Sequence, residues 1–167
     1  MPIISDASLL TQVEQVADIL MQRQLKLVTA ESCTGGWVAK CCTDLAGSSA
    51  WFDRGFVTYS NEAKQLQLDV SARLLSEYGA VSQPVAEAMS TGALSHSAGH
   101  ISVALTGIAG PDGGSADKPV GTVWISWATG ESRVKSEKFQ FDGNRDAIRR
   151  QAVYEALSGI IKNARDS

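Results

Sequence analysis

Two short apolar runs, LKLVTA (25–30) and HISVALTG (100–107), each break into a loop of small residues, ESCTGG and GIAGPDGGSADKPVG. A run of this length that stops at glycine reads as a strand buried on both faces. Amphipathic stretches surround both. Leu9, Leu10, Val13, Val16, Ala17 and Leu20 fall on one helical face, with Ser5 or Asp6 as the cap. Gly35 to about Asp44 suits a second helix, and WFDRGFVTYS (51–60), aromatic and β-branched, a second strand. Asn61 is the expected cap of a short helix in NEAKQLQLD, and VSARLLSEYGA reads as another. Pro84 fits the first turn of a helix that carries Val85, Ala88, Met89 and Ala93 and ends at Gly99. Segments 121–129 and 133–141 read as a hairpin around Gly130. Ile148, Ala152, Val153, Ala156, Leu157, Ile160 and Ile161 give the last helix one broad apolar face.

Strands that alternate with helices imply a parallel sheet covered on both sides, and the hairpin adds antiparallel pairing. The expected fold is α/β: a three-layer α/β/α sandwich with a mixed, mostly parallel sheet of about five strands. The 167 residues fit one ordinary domain, 1–167, with no repeat and no linker.

Charge and cysteine content narrow the function. A net charge of −3 without a Lys/Arg run argues against nucleic acid and anionic membranes as partners. No apolar run approaches the ~20 residues that span a bilayer, and MPIISDASLL has neither the basic nor the apolar region of a signal peptide. Three cysteines, two of them adjacent, do not make a disulfide framework, so a cytoplasmic location is expected.

In such sheets ligands bind beyond the carboxyl ends of the parallel strands, where both glycine loops lie. ESCTGG sets Ser32, Cys33 and Thr34 before Gly35 and Gly36. Free N–H groups at a helix start suit a phosphate or an acyl-transfer oxyanion. Simple helix capping by Ser32 or Thr34 accounts for the same residues. Cys33 is chemically the strongest nucleophile, and a helix N-terminus lowers a thiol pKa; spacing does not choose among the three. Cys41 and Cys42 read as packing residues. The second loop lacks the G-K-[ST] of a Walker motif, and Asp112, in Pro-Asp-Gly, reads as a turn former before a metal ligand.

A serine nucleophile needs a base. His96 and His100 are the only histidines and better fit a surface role; without C-x-x-C spacing no zinc is expected. Lys64 can serve if burial lowers its pKa, although a solvated helix lysine is the plainer reading. Arg145 and Arg149 share a helical face that suits either a phosphate or the carboxylates of Asp142 and Asp146, and Arg54 is a further cationic candidate.

Four blocks, TAESCTGGWVAK, GSSAWFDRGFVTYSNEAK, TGIAGPDGGSADKPVGTVWI and GNRDAIRRQAV, resemble the CinA C-terminal domain family, and within it the stand-alone nicotinamide-nucleotide amidases. The likeness runs from about residue 9 to residue 160. It implies hydrolysis of the carboxamide of nicotinamide mononucleotide to nicotinate mononucleotide and ammonia, which recycles pyridine nucleotide toward NAD. It implies a serine with a lysine base, here Ser32 and Lys64, and no metal or organic cofactor. Tyr59 matches the family tyrosine, expected to share in proton transfer or hold the lysine, and Thr106 a threonine expected to orient the dyad or substrate. The N–H groups of Cys33, Thr34, Gly35 and Gly36 become oxyanion donors. Gly107, Gly110 and Arg145 become contacts for phosphate and ribose. The pyrophosphatase activity of an extra domain in many relatives is not implied, and a homodimer is expected. Two rival readings are a nucleotide-binding module without turnover and a thiol enzyme that uses Cys33.

Overall fold

The computed structural model describes residues 4–130 and 133–166. Residues 131 and 132, beside Gly130 in the expected hairpin turn, lie outside the described residues. Along the chain run α1 (Asp6–Arg23), β1 (Leu27–Glu31), α2 (Trp37–Asp44), a 3-10 turn at Ser48–Ala50, and β2 (Phe52–Val57). Then come α3 (Asn61–Leu68), α4 (Ala72–Tyr78), α5 (Gln83–Ser95), β3 (Ile101–Gly107), β4 (Thr122–Thr129), β5 (Arg133–Gln140) and α6 (Arg145–Arg165).

The five strands form one sheet in the order β2-β1-β3-β4-β5. β1 pairs in parallel with β2 and β3, while β4 runs antiparallel to both β3 and β5. β1 is buried along its whole length and β3 all but so, as expected of apolar runs covered on both faces. β5, at the edge, alternates half-buried with exposed residues.

Two separate apolar clusters lie on the two faces. One joins α1, α2 and α6 to the sheet through Val16, Leu20, Cys42, Leu105, Ile148 and Leu157. The other sits beneath α3, α4 and α5 around Val28, Leu68, Leu75, Val85 and Met89. The architecture is therefore the expected α/β/α sandwich. The chain leaves β1 over one face, through α2, and returns from β2 to β3 over the other, through α3–α5. Loops after β1 and β3 thus part in opposite directions, which opens a crevice at the carboxyl ends of the two strands.

Local boundaries differ from expectation where backbone geometry decides. α2 starts at Trp37, because Gly35 (φ 62°) and Gly36 (φ 95°) are left-handed and stand outside the helix. The cap of α1 is Ser5, whose side chain accepts from Ser8 N–H. Ser60, not Asn61, caps α3: its hydroxyl accepts from Ala63 N–H. α5 ends at Ser95 with His96 as its cap, four residues short of Gly99. β2 is the shorter run Phe52–Val57 within 51–60.

Candidate active site

Because β2 is parallel to β1, its outgoing chain reaches the same end of the sheet as the turn after β1. Ser32 stands on that turn, its N–H tied to the Leu105 carbonyl of β3 at 3.0 Å. Lys64 stands on the first turn of α3, and α3 is pressed close to α5. A Cβ at Gly92 of α5 would lie 2.0 Å from the Leu68 carbonyl oxygen, so only glycine lets the two helices meet there. The lysine side chain consequently points inward, and the residue is 1% exposed.

Lys64 Nζ lies 2.9 Å from Ser32 Oγ, 2.9 Å from the Thr58 carbonyl and 3.1 Å from the Tyr59 carbonyl. Ser32 Oγ also stands 3.4 Å from the Tyr59 carbonyl. Among the described residues no carboxylate pairs with the ammonium, so burial holds the Lys64 pKa below its ordinary 10.5, against a smaller upward pull from Cys33. The solvated-lysine reading does not hold. Two carbonyls are arranged to take the two hydrogens of a neutral amine, and the third direction is taken by the serine.

Cys33 is 6% exposed. Its thiol is pushed up to about 12, first by burial and then by the charge of Glu31. Desolvation outweighs the helix-terminus effect expected to activate it, so at neutral pH it is a thiol. Cys41 and Cys42 are buried packing residues, also with raised pKa values.

Two glycine N–H groups expected at the oxyanion are already engaged. Gly35 N–H donates to the Ser32 carbonyl (3.1 Å) and Gly36 N–H to Glu31 Oε2 (3.2 Å). Among the described residues the N–H groups of Cys33 and Thr34 have no protein acceptor. The start of α2 is likewise closed to a phosphate, because the Glu31 carboxyl also accepts from Val38 N–H (3.1 Å) and Ala39 N–H (2.9 Å). Burial raises the Glu31 pKa above 4.5 despite these bonds. The Thr34 hydroxyl lies near enough to favour the charged form, yet closes no hydrogen bond.

A cavity of about 290 Å³ opens onto the pair, lined by Ser32, Cys33, Tyr59, Lys64, Thr106 and the loop 107–113 with Arg145. Tyr59 enters it in two parts. Its carbonyl holds Lys64, whereas its hydroxyl, on a residue 63% exposed, lies 3.4 Å from Arg145 Nη2 and has no bond to the lysine. Arg145 Nη1 donates to the Gly110 carbonyl at 2.6 Å. Thr106 Oγ1 donates to the Ala80 carbonyl (2.8 Å), so it ties the 80–81 wall of the cavity to β3 without touching the dyad. Asp112 lines the cavity rim, and no cluster of three or more metal-ligating side chains occurs among the described residues.

The remaining cationic candidates act elsewhere. Arg149 grips the turn itself, through Nε to the Cys33 carbonyl and Nη2 to the Thr34 carbonyl, both at 3.0 Å. Among the described residues neither Arg145 nor Arg149 pairs with Asp142 or Asp146; Arg150 takes Asp146 at 3.6 Å. Arg54 is bound to Asp53 and to the His96 carbonyl, at the α5 end that leads to the start of β3, away from Ser32. His96 pairs with Asp69 on the surface, and His100 Nδ1 accepts from Lys26 N–H. A larger depression of about 600 Å³ lies behind the turn, beside Trp37. It holds neither Ser32 nor Lys64, and its Lys40 and Arg150 are already paired with Asp44 and Asp6.

The buried carboxyl of Glu31 and the grip of Arg149 were not foreseen. The signal available was slight: one acidic residue at the end of an otherwise apolar strand, and one arginine a turn beyond Arg145.

Fold and cavity together define an α/β domain with a cavity at the carboxyl edge of its parallel strands. The chain belongs to the CinA C-terminal domain family, whose model matches residues 10–164. It is 53% identical over 157 residues to the nicotinamide-nucleotide amidohydrolase PncC of Escherichia coli strain K12, covering 94% of this chain and 95% of that protein. It is 51% identical over 152 residues to the protein of that name from Pseudomonas putida, covering 91% and 94%. The crystal structure of the competence/damage inducible protein CihA from Agrobacterium tumefaciens is similar, with a TM-score of 0.90 at 42% identity over 95% of each chain. A CinA superfamily protein from Klebsiella pneumoniae gives 0.91 at 36% identity, covering 95% of this chain and 99% of that one.

Proposed function

We propose that this chain hydrolyses the carboxamide of nicotinamide mononucleotide, with Ser32 as nucleophile and Lys64 as base, and so recycles pyridine nucleotide toward NAD in the cytoplasm. The observation that carries the reading is the 2.9 Å contact between Ser32 Oγ and the amine of a buried lysine at the floor of the cavity. The names of the relatives supply the substrate class.

In the neutral state Lys64 donates its two hydrogens to the Thr58 and Tyr59 carbonyls and turns its lone pair to Ser32. It takes the hydroxyl proton as Oγ attacks the carboxamide carbon. The tetrahedral oxyanion forms beside the N–H of Cys33, the residue after the nucleophile, where acyl-transfer turns commonly place a donor. The Lys64 ammonium returns the proton to the departing nitrogen, which leaves as ammonia. Water then gives a proton to Lys64 and its oxygen to the acyl carbon; nicotinate mononucleotide departs and Ser32 recovers its proton. Arg145, held by the Gly110 carbonyl and near the Tyr59 hydroxyl, has N–H groups to spare for the phosphate. The loop backbone at Gly107 and Gly110 is the contact for the ribose; their missing Cβ atoms make room for Val123 and Val120, which an added Cβ would meet at 2.6 and 2.5 Å.

Purified protein incubated with nicotinamide mononucleotide, without added metal, is expected to release ammonia and nicotinate mononucleotide in equal amounts. Ser32→Ala is expected to be inactive, and Lys64→Ala to fall by about 10²–10⁴-fold, the usual worth of a general base. Cys33→Ala is expected to remain active. An inactive wild-type protein would remove the amidase, and an inactive Cys33→Ala beside an active Ser32→Ala would transfer the role to the thiol. A homodimer belongs to the same reading, and sedimentation velocity checks it.

A further inference from the structure

Catalysis by a turn depends on which way its peptide planes face. A trans peptide is planar, with its C=O and N–H pointing in opposite directions, so fixing one fixes the other. In this turn each plane is fixed by the next. Arg149 Nη2 holds the Thr34 carbonyl at 3.0 Å. The N–H of that same peptide unit, Gly35 N–H, donates to the Ser32 carbonyl at 3.1 Å. The N–H opposite the Ser32 carbonyl is that of Cys33, the donor beside the reacting serine. Arg149 Nε holds the plane between them through the Cys33 carbonyl at 3.0 Å.

The following planes are fixed from inside the fold. Glu31 accepts from Gly36, Val38 and Ala39 N–H, so its buried carboxyl ties the end of the turn and the first turn of α2 back to β1. An acidic group thus grips N–H groups from within, while a guanidinium grips C=O groups from without. The two approach from different elements, β1 and α6, and neither reaches the reacting atoms. The turn supplies only part of this order itself, through Gly35 N–H to the Ser32 carbonyl and Trp37 N–H to the Thr34 carbonyl, because Gly35 and Gly36 leave its backbone wide conformational freedom.

We infer that Glu31 and Arg149 are positioning residues that aim the Cys33 N–H and hold Ser32 Oγ on Lys64. The inference rests on the serine–lysine reading above. They act on the transition state, where the oxyanion exists, and not on the bound substrate, whose phosphate and ribose sit against Arg145 and the loop 107–113.

The experiment uses the full chain with three substitutions. Arg149→Ala is expected to lower kcat by 10- to 100-fold per folded molecule while KM stays within twofold. Arg149→Lys, which reaches only one of the two carbonyls, is expected to fall between, and millimolar guanidinium is expected to restore part of the Arg149→Ala rate. Glu31→Gln sets an amide N–H against backbone N–H and is expected to show the same split of kcat from KM. The acid limb of the pH profile is expected to move little in all three, because burial under α3, the main cause of the low Lys64 pKa, depends on neither residue. Phosphonylation of Ser32 by a fluorophosphonate probe, in which Oγ bonds to phosphorus and fluoride leaves, reads the same alignment without the nucleotide and is expected to slow in parallel. Wild-type protein that is phosphonylated but does not turn over nicotinamide mononucleotide would remove the proposed substrate and leave the positioning intact. Folded Arg149→Ala that is phosphonylated and turns over at the wild-type rate would overturn the inference. So would activity lost only in proportion to folded protein, whether in Arg149→Ala or in Glu31→Gln.

Discussion

Lys64 shows how position alone fits an ordinary residue for the base we propose. Its amine has only uncharged partners, and burial lowers its pKa below 10.5. In the proposed mechanism activity needs the neutral form, so kcat/KM should rise with pH through this depressed pKa and level off above it. An acid limb at the ordinary lysine value would contradict the burial. The same shift bears on stability. Between the depressed pKa and 10.5 the unfolded chain binds more protons, so the lysine opposes folding at low pH and its contribution improves as pH rises through that window. Cys33 marks the opposite case. With its thiol pushed up to about 12, it should resist alkylation by iodoacetamide at pH 7 while the protein stays folded, and treated enzyme should keep its rate. Neither state is legible in the string S-C-T: spacing allowed all three nucleophiles, all three are buried, and it is the Lys64 amine 2.9 Å from Ser32 Oγ that singles out the serine. Tyr59 teaches the same point, because the part of it that meets Lys64 is its carbonyl, a group every residue carries.

At the scale of elements, α3 decides where the lysine stands. Ser60 caps it, accepting from Ala63 N–H at 3.0 Å, and the Ser60 carbonyl accepts from Lys64 N–H at 3.1 Å. Ser60→Ala should cost about 1 kcal/mol, the usual worth of such a cap, and lower the thermal midpoint accordingly. Gly92→Ala should do more. The new Cβ meets the Leu68 carbonyl, so α3 must move off α5 and carry Lys64 toward water. Overpacking of this kind costs ~1–3 kcal/mol. Less burial means a higher pKa, so the acid limb of kcat/KM should shift upward and kcat at neutral pH should fall. An unshifted limb would mean that α3 keeps its seat. The elements themselves were readable from apolar periodicity: the buried residues of α1, Leu9, Val13, Val16, Ala17 and Leu20, all lie on the face drawn from sequence, and only Leu10, placed on that face too, turns out exposed. Their ends were less so, because a helix start is set by φ at Gly35 and Gly36 and by which hydroxyl turns back at Ser5 or Ser60. The clasp of Glu31 was hidden for a different reason. A cap that reaches forward from the preceding strand depends on how β1 and α2 face each other, and no spacing rule encodes that.

Across the whole molecule the Ser32–Lys64 pair spans two layers. Ser32 leaves β1 on the turn into α2, on the side that packs with α1 and α6, while Lys64 hangs from α3 on the other face. The sheet between them sets the 2.9 Å contact, and its parallel β2-β1-β3 order brings both loops to one edge. Separate layers predict separable damage. Gly159 of α6 lies against Trp127 of β4; an added Cβ would stand 2.1 Å from the indole, whose Nε1–H donates to the Ala156 carbonyl at 3.0 Å. In Gly159→Ala the helix must lift or the ring must turn, again at ~1–3 kcal/mol. The thermal midpoint should drop by roughly 2–4 °C per kcal/mol in a chain of this size. The acid limb should stay in place, because the Thr58 and Tyr59 carbonyls and α3 belong to the opposite side. Gly92→Ala and Gly159→Ala thus form a pair: each should lower stability, but only the first should move the pH profile. If both move it, the two layers respond as one body, and the Lys64 pKa reports on the packing of the whole sandwich instead of on α3 alone.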